Sequence, residues 1–266
     1  MDFKKITEVL VTAKAVQYVM IAVLLIGAFF LPRLAVKQET EAAGQEATAE
    51  VQQLKDSQQS GGNAQAAKGT IVLDPGHGGD DPGMIGAGGI NEKKLNLIYA
   101  KKLQALLEAE GYRVVLTRET EEGLYDADAA HKKAQDMQRR VAIIAEEAPL
   151  ITVSIHQNSY QDPAVSGPQV FYYEHSAEGQ KLAKSIQDSM NSELSEARSR
   201  VEKSNSSYYI LKRSQGTTVI VECGFLSNPE EEARLQEEAY QDRVCAAVCK
   251  GILQYLDEDS DESKIS

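Results

Sequence analysis

"TIVLDPGHGGDDPGMIGAGGINEKKLNLIYAKKLQALL", residues 70–107, runs from a short apolar strand through a glycine-crowded loop into a helix. Asn91 is a good helix N-cap, which puts Glu92 in the first turn. Beyond it Leu95, Ile98, Leu103, Leu106 and Leu107 form one apolar stripe, with Lys93, Lys94, Lys101 and Lys102 largely off it. The same alternation repeats outward. Strand-like runs recur at 112–117, 150–156, 168–173 and 217–224, and helical periodicity at 127–147, 176–194 and 229–256. The last of these opens on Pro229 and three glutamates, as helix starts prefer. Strands alternating with helices imply a single layered α/β domain, residues 69–256, with a mostly parallel central sheet flanked by helices.

The flanks have different physics. Residues 15–31 are apolar except for Gln17, about long enough to span a bilayer, and follow Lys4, Lys5 and Lys14. Residues 1–37 are therefore expected to be a membrane anchor or uncleaved signal; a cleaved signal peptide is the rival, and both put the rest of the chain outside the cytoplasm. Residues 38–68 are polar and short of large apolar side chains, so they are expected to be a flexible tether. The acidic tail, 257–266, is expected to fray as a solvated end.

A net charge of −12 without a basic patch argues against nucleic acid as a partner. The three cysteines, Cys223, Cys245 and Cys249, form no CxxC pair, so neither a disulfide framework nor a thiolate zinc cluster is expected, and all three are read as packing residues.

The glycine loop does not fit a nucleotide cradle. Counting from Gly76 or Gly86, the sixth position is Asp81 or Asn91 where a dinucleotide fingerprint needs glycine, and no Gly-Lys-Ser/Thr occurs. Asp80 and Asp81 would repel a phosphate. His77, however, lies just past the first strand, His156 ends another, and Glu222 ends a third. In an open α/β sheet the carboxyl ends of strands and the helix starts after them meet on one ligand-binding edge. Two histidines and a glutamate are the ligands of many catalytic zinc sites, with a further carboxylate as base. Plain structural roles compete: Glu92 as a helix-dipole partner, His156 as a hydrogen-bonded strand end. Glu222 is harder to explain so, because burying its carboxylate is costly without a partner. With no compact motif such as HExxH, spacing leaves both readings open. His131 and His175 are read as structural or surface residues, and Tyr172 and Tyr173 as packing aromatics or the border of a binding groove.

Taken together the motifs resemble the zinc-dependent N-acetylmuramoyl-L-alanine amidases of bacterial cell walls, the amidase type 3 family. "LDPGHGG", "GGINEKKLNL", "LTR" with Arg118, "MQRRVAIIAE" with Arg140, "SIHQNSY" and "VECGFLSNPEE" follow in the family's order over residues 70–254. The resemblance implies one zinc ion held by His77, Glu92 and His156, and Glu222 as general acid/base. It implies hydrolysis of the amide between the muramic acid lactyl group and L-alanine in peptidoglycan. Gln157 departs from the small residue usual after the third ligand, which puts the fit of substrate at the metal's edge in question. The stretch between Asn158 and Ser166 is too short for the inhibitory helix some relatives insert, so regulation would fall to an activating protein partner or to location. The single domain behind a membrane segment looks most like the CwlD-type amidases of the spore cortex, which act on cortex ahead of germination. That implies the forespore intermembrane space or the cell wall as its place. A vegetative amidase, a catalytically silent peptidoglycan-binding or partner module, and a carboxypeptidase or deacetylase of the same polymer are the alternatives.

Overall fold

Residues 67–265 are described by the structure, a computed structural model. The expected membrane segment and nearly all of the expected tether lie outside the described residues. Among the described residues no helix is long and apolar enough to cross a membrane.

The strands are β1 (Thr70–Pro75), β2 (Arg113–Leu116), β3 (Ile151–Asn158), β4 (Gln169–Tyr173), β5 (Lys203–Asn205) and β6 (Thr217–Phe225). The helices are α1 (Glu92–Ala109), α2 (Lys132–Glu147), α3 (Ala177–Glu193), α4 (Tyr209–Arg213), α5 (Pro229–Leu235) and α6 (Glu238–Ile265). One sheet orders the strands β2-β1-β3-β6-β4-β5. Its pairs are parallel except β4 with β6, which are antiparallel. The sheet is mostly parallel, as expected, and mixed only through this one antiparallel pair. Residues 159–168, between β3 and β4, contain no helix. A parallel return needs a crossover of a dozen or more residues, so β4 starts at the edge where β3 ends and runs back.

That reversal decides what reaches the functional edge. Gln169 pairs with Glu222, while Tyr172 lies opposite Val219, back toward the other end. Tyr172 and Tyr173 pack against the two apolar clusters, and His175, beyond them, is 72% exposed. Neither tyrosine borders a binding groove near Glu222.

Side-chain alternation separates two faces of the sheet. Ile71, Leu73, Val153, Ile155, Val219 and Val221 point into a large core with Leu95, Tyr99 and Leu103 of α1, Leu182 and Ile186 of α3, and Val244 and Ile252 of α6. Opposite them Val72, Phe171 and Ile220 form a smaller cluster with Ile144 of α2 and Ile210 and Leu211 of α4, flanked by the partly buried Val115, Met137 and Tyr173. All three cysteines are buried and free, two of them on α6.

Three other expectations need correcting. The closing helix is broken at Gln236–Glu237 into α5 and α6; the Leu235 carbonyl freed there accepts from Tyr99 Oη (3.2 Å) and Gln241 Nε2 (3.0 Å). The acidic tail does not fray but continues α6 to Ile265, with no glycine or proline to stop it. The second helix begins at Lys132 rather than 127.

Candidate metal centre

Three segments deliver donors to the carboxyl edge of β1, β3 and β6. His77 sits in the loop after β1, held at φ 61°, a left-handed conformation costly for a non-glycine residue. Glu92 opens α1, and His156 lies near the end of β3, beside a break in the β3–β6 register. Glu92 Oε1 is 2.9 Å from His156 Nδ1, and Glu92 Oε2 is 3.2 Å from His77 Nε2. The two rings lie edge to face, centroids 5.0 Å apart. One donor atom from each residue falls within 4.8 Å of the others, so the group can hold a metal ion. A Cβ on Gly76 would clash with the His156 ring, and one on Gly83 would strike Glu92 and His77. These glycines are needed because the donors press onto bare backbone.

The donors are held from behind. Glu92 accepts from the amides of Met84 (2.8 Å) and Gln157 (3.1 Å) and from Asn96 Nδ2 (3.2 Å). Burial pushes its carboxyl up, but hydrogen bonds and charge from His156 and His77 outweigh this and hold it well below the usual carboxylate range. Burial likewise opposes charge on His156, yet Glu92 raises its pKa overall. Behind His77, Nδ1 lies 3.1 Å from Asp81 Oδ2. That contact leaves Nε2 turned toward Glu92.

Two buried arginines fix the loop itself. Arg118 donates to the carbonyls of Pro75 (2.8 Å), Gly76 (2.9 Å) and Lys93 (2.8 Å). Arg140, 1% exposed, donates to the carbonyls of Pro75 (2.8 Å) and His77 (2.6 Å) and pairs with Asp74 (2.7 Å) and Asp136 (2.6 Å). Asp74 also accepts from Thr117 and Ser154, each at 2.6 Å. Burial would raise the Asp74 pKa, but Arg140 and these hydroxyls bring it down to about 2.

Glu222 differs from every other acid here. It neighbours His156 across the β3–β6 pair, is 7% exposed, and its Oε2 has no hydrogen-bond partner. Burial pushes its carboxyl up to about 7; the nearby His156 opposes this and Glu92 adds to it. Gln157 lies at the cleft, where its amide donates to Glu92, but its side chain does not enter the cleft. Its side chain is buried on the opposite face, 3.3 Å from Asn96 Oδ1, because the strand alternates and His156 faces the cleft.

The sequence model of the family described as N-acetylmuramoyl-L-alanine amidase matches residues 71–254. The chain belongs to this family. It is 37% identical over 194 residues to the germination-specific N-acetylmuramoyl-L-alanine amidase of Bacillus subtilis, covering 72% of this chain and 81% of that protein. Among solved structures it resembles the CwlD amidase of Clostridioides difficile, determined in complex with the GerS lipoprotein: TM-score 0.69, 34% identity, 71% of this chain and 99% of that one. The AmiC2 amidase of Nostoc punctiforme aligns at TM-score 0.63 and 32% identity, over 73% of this chain and 99% of that one. The resemblance drawn from the motifs is borne out.

In this amidase the donors face a cleft of about 630 Å³. Its aromatic wall is Tyr208 and Tyr209, at the start of α4, which sequence reading passed over. Burial and the charge of Glu222 raise the Tyr208 phenol. Asp81 was noted only as a charge hostile to phosphate, yet a carboxylate four residues after a loop histidine was the available signal. His131 is exposed at the N-terminus of α2 and His175 pairs with Glu174 at 3.4 Å; neither reaches the donors.

Proposed function

We propose that this amidase hydrolyses the bond between the lactyl group of N-acetylmuramic acid and L-alanine, with zinc held by His77, Glu92 and His156 and Glu222 as general acid/base. The observation that carries the reading is the unpartnered Glu222 oxygen beside a set of two imidazoles and one carboxylate. Such a donor set suits zinc and leaves room for a water. When bound, zinc acidifies that water toward neutrality and polarises the scissile carbonyl.

The chain's own residues do the rest. Glu222 takes a proton from the attacking water and returns one to the leaving amine, a poor leaving group until protonated. Its raised pKa, about 7, lets it hold that proton between the two steps. Asp81 fixes the His77 ring through Nδ1, and the Met84 and Gln157 amides keep Glu92 charged and oriented. Arg118 and Arg140 hold the His77 loop so that its strained backbone does not relax.

The spore cortex is the proposed setting, supported by the likeness to the germination-specific amidase of Bacillus subtilis and to CwlD. A protein partner comparable to the GerS lipoprotein bound by that CwlD is proposed as activator, in keeping with a cleft that no helix from 159–168 covers. The apolar run at 15–31 supports membrane anchoring on the outer side. The test is digestion of cortex peptidoglycan by the zinc-loaded protein, with products read by mass spectrometry. Peptides starting at L-alanine plus muramic acid with a free lactyl carboxylate are expected; cuts elsewhere in the stem would refute the assigned bond.

A further inference from the structure

Beside the catalytic cleft lies a second open cavity of about 620 Å³, at the first turn of α2. Lys133, Met137 and Tyr209 line both, so the two cavities adjoin. Their linings carry opposite charge. The catalytic cleft is lined by five carboxylates, Asp74, Asp81, Glu92, Asp136 and Glu222, against two cations, Lys133 and Arg140. The second cavity has no carboxylate in its lining; it has Lys132, Lys133 and His131 around an apolar floor of Met137 and Tyr209. In a chain with net charge −12, a carboxylate-free basic hollow abutting the acid-rich cleft is a local choice of ligand sign.

We propose that this hollow is the subsite for the peptide arm of the substrate, and that Lys133 and Lys132 recognise a carboxylate borne by the residue that follows L-alanine. The inference rests on the amidase reading above and names which half of the substrate lies on which side of the metal. A sugar chain is neutral and gains nothing from two lysines, whereas a carboxylate on the peptide would be drawn to the hollow. The reach also fits. Lys133 Nζ is 3.0 Å from Asp81 Oδ2, which is 3.1 Å from the His77 ring, so the ammonium stands two contacts from the metal ligands. Two peptide residues extend about 7 Å.

Both lysines already have partners: Lys133 pairs with Asp81, and Lys132 with Asp80 at 2.7 Å. These pairs can be exchanged. Lys133 is 78% exposed, and an exposed pair contributes about 0–1 kcal/mol. Asp81 retains His77 Nδ1 and the Gly83 amide (3.1 Å) when the lysine turns to a ligand. Tyr209 and Met137 supply the apolar surface for the peptide's methyl and methylene groups.

The experiment uses the full-length, zinc-loaded protein and two muramyl tetrapeptides, identical except that the second residue carries a free α-carboxylate or its carboxamide. Wild type is expected to favour the carboxylate by about tenfold in kcat/KM, chiefly through KM. Lys133→Gln and the Lys132→Gln/Lys133→Gln pair are expected to erase the preference. The ratio cancels any general loss that Lys133→Gln causes through Asp81. Equal rates on both substrates in wild type, or an unchanged ratio in the variants, would overturn the subsite. If neither substrate is cut, the reaction assignment fails, and titration with the two free tetrapeptides then decides the subsite. A carboxylate preference in binding that Lys133→Gln abolishes upholds it, and equal binding overturns it.

Discussion

On one face of the sheet α1, α3 and α6 close over an apolar cluster running from Ile71 to Tyr255. On the other, α2 and α4 cover six buried apolar residues, and the remaining space is filled by Asp74, Ser154, Arg140 and Asp136 in a hydrogen-bonded network. The first face has no polar chemistry to defend and holds the fold together by burial. The second gives up apolar area to hold a strained loop, two imidazoles and two carboxylates at one edge. Within that second face the two glutamates part again. Glu92 is satisfied on both oxygens and held charged, whereas Glu222 keeps one oxygen without a partner and is pushed toward the neutral form. Under the proposed mechanism, these opposed environments divide the work of holding a cation and moving a proton between the two carboxylates.

The widest gap between the faces is expected in activity. Glu222→Gln keeps the shape but removes the base, so turnover should fall by about 10³-fold or more while metal is still bound; retained turnover would show that another group moves the proton. Next, Arg140→Met and Leu103→Ala are compared by chemical denaturation. Removing the buried arginine strands Asp74 and Asp136 and is expected to cost about 3–5 kcal/mol. Truncating Leu103 leaves a cavity and is expected to cost about 2–5 kcal/mol. Their activities should differ: Leu103→Ala retains metal affinity per folded molecule, and Arg140→Met loses it, because only Arg140 holds the His77 carbonyl.

A smaller effect follows from the sign of the Glu222 shift. Its folded pKa is raised, so the metal-free protein is penalised as pH climbs from about 4.5 to about 7. Glu222→Gln should remove that penalty, stabilising metal-free protein at pH 8 by up to about 3 kcal/mol, and equal melting curves would contradict it. Asp74 has the opposite sign. Its folded pKa is lowered to about 2, so its contribution is complete above the unfolded value near 4 and is lost as pH falls from there through about 2. Asp74→Asn should flatten that acid limb, worth about 2 kcal/mol; an unchanged limb would place the acid sensitivity elsewhere.

The packed face was the legible one. Runs such as "TIVLD" and "TTVIVECG" alternate between faces or are apolar throughout, and they locate β1 and β6 to within a residue or two. The four candidate site residues could be singled out because strand ends and a helix start collect at one edge, but spacing left their roles open and only the motif resemblance assigned them. Polar, three-residue β5 carries no periodic signal, and five-residue α4 is too short to show one. The antiparallel turn of β4 leaves no mark within the strand, although the short connection 159–168 contained it. What could not be read was the support: Asp74 stands 66 residues before Arg140, and only the fold tells which carbonyl each arginine meets.

The account turns on three donors holding a cation while Glu222 stands apart. The direct measurement is zinc content and affinity, by competition with a chelator, for wild type, Glu92→Gln and Glu222→Gln. One zinc per chain with near-equal affinity in wild type and Glu222→Gln, and affinity lowered by at least about tenfold in Glu92→Gln, is the predicted result. Loss of zinc in Glu222→Gln, or its full retention in Glu92→Gln, would contradict the division of labour between the two glutamates.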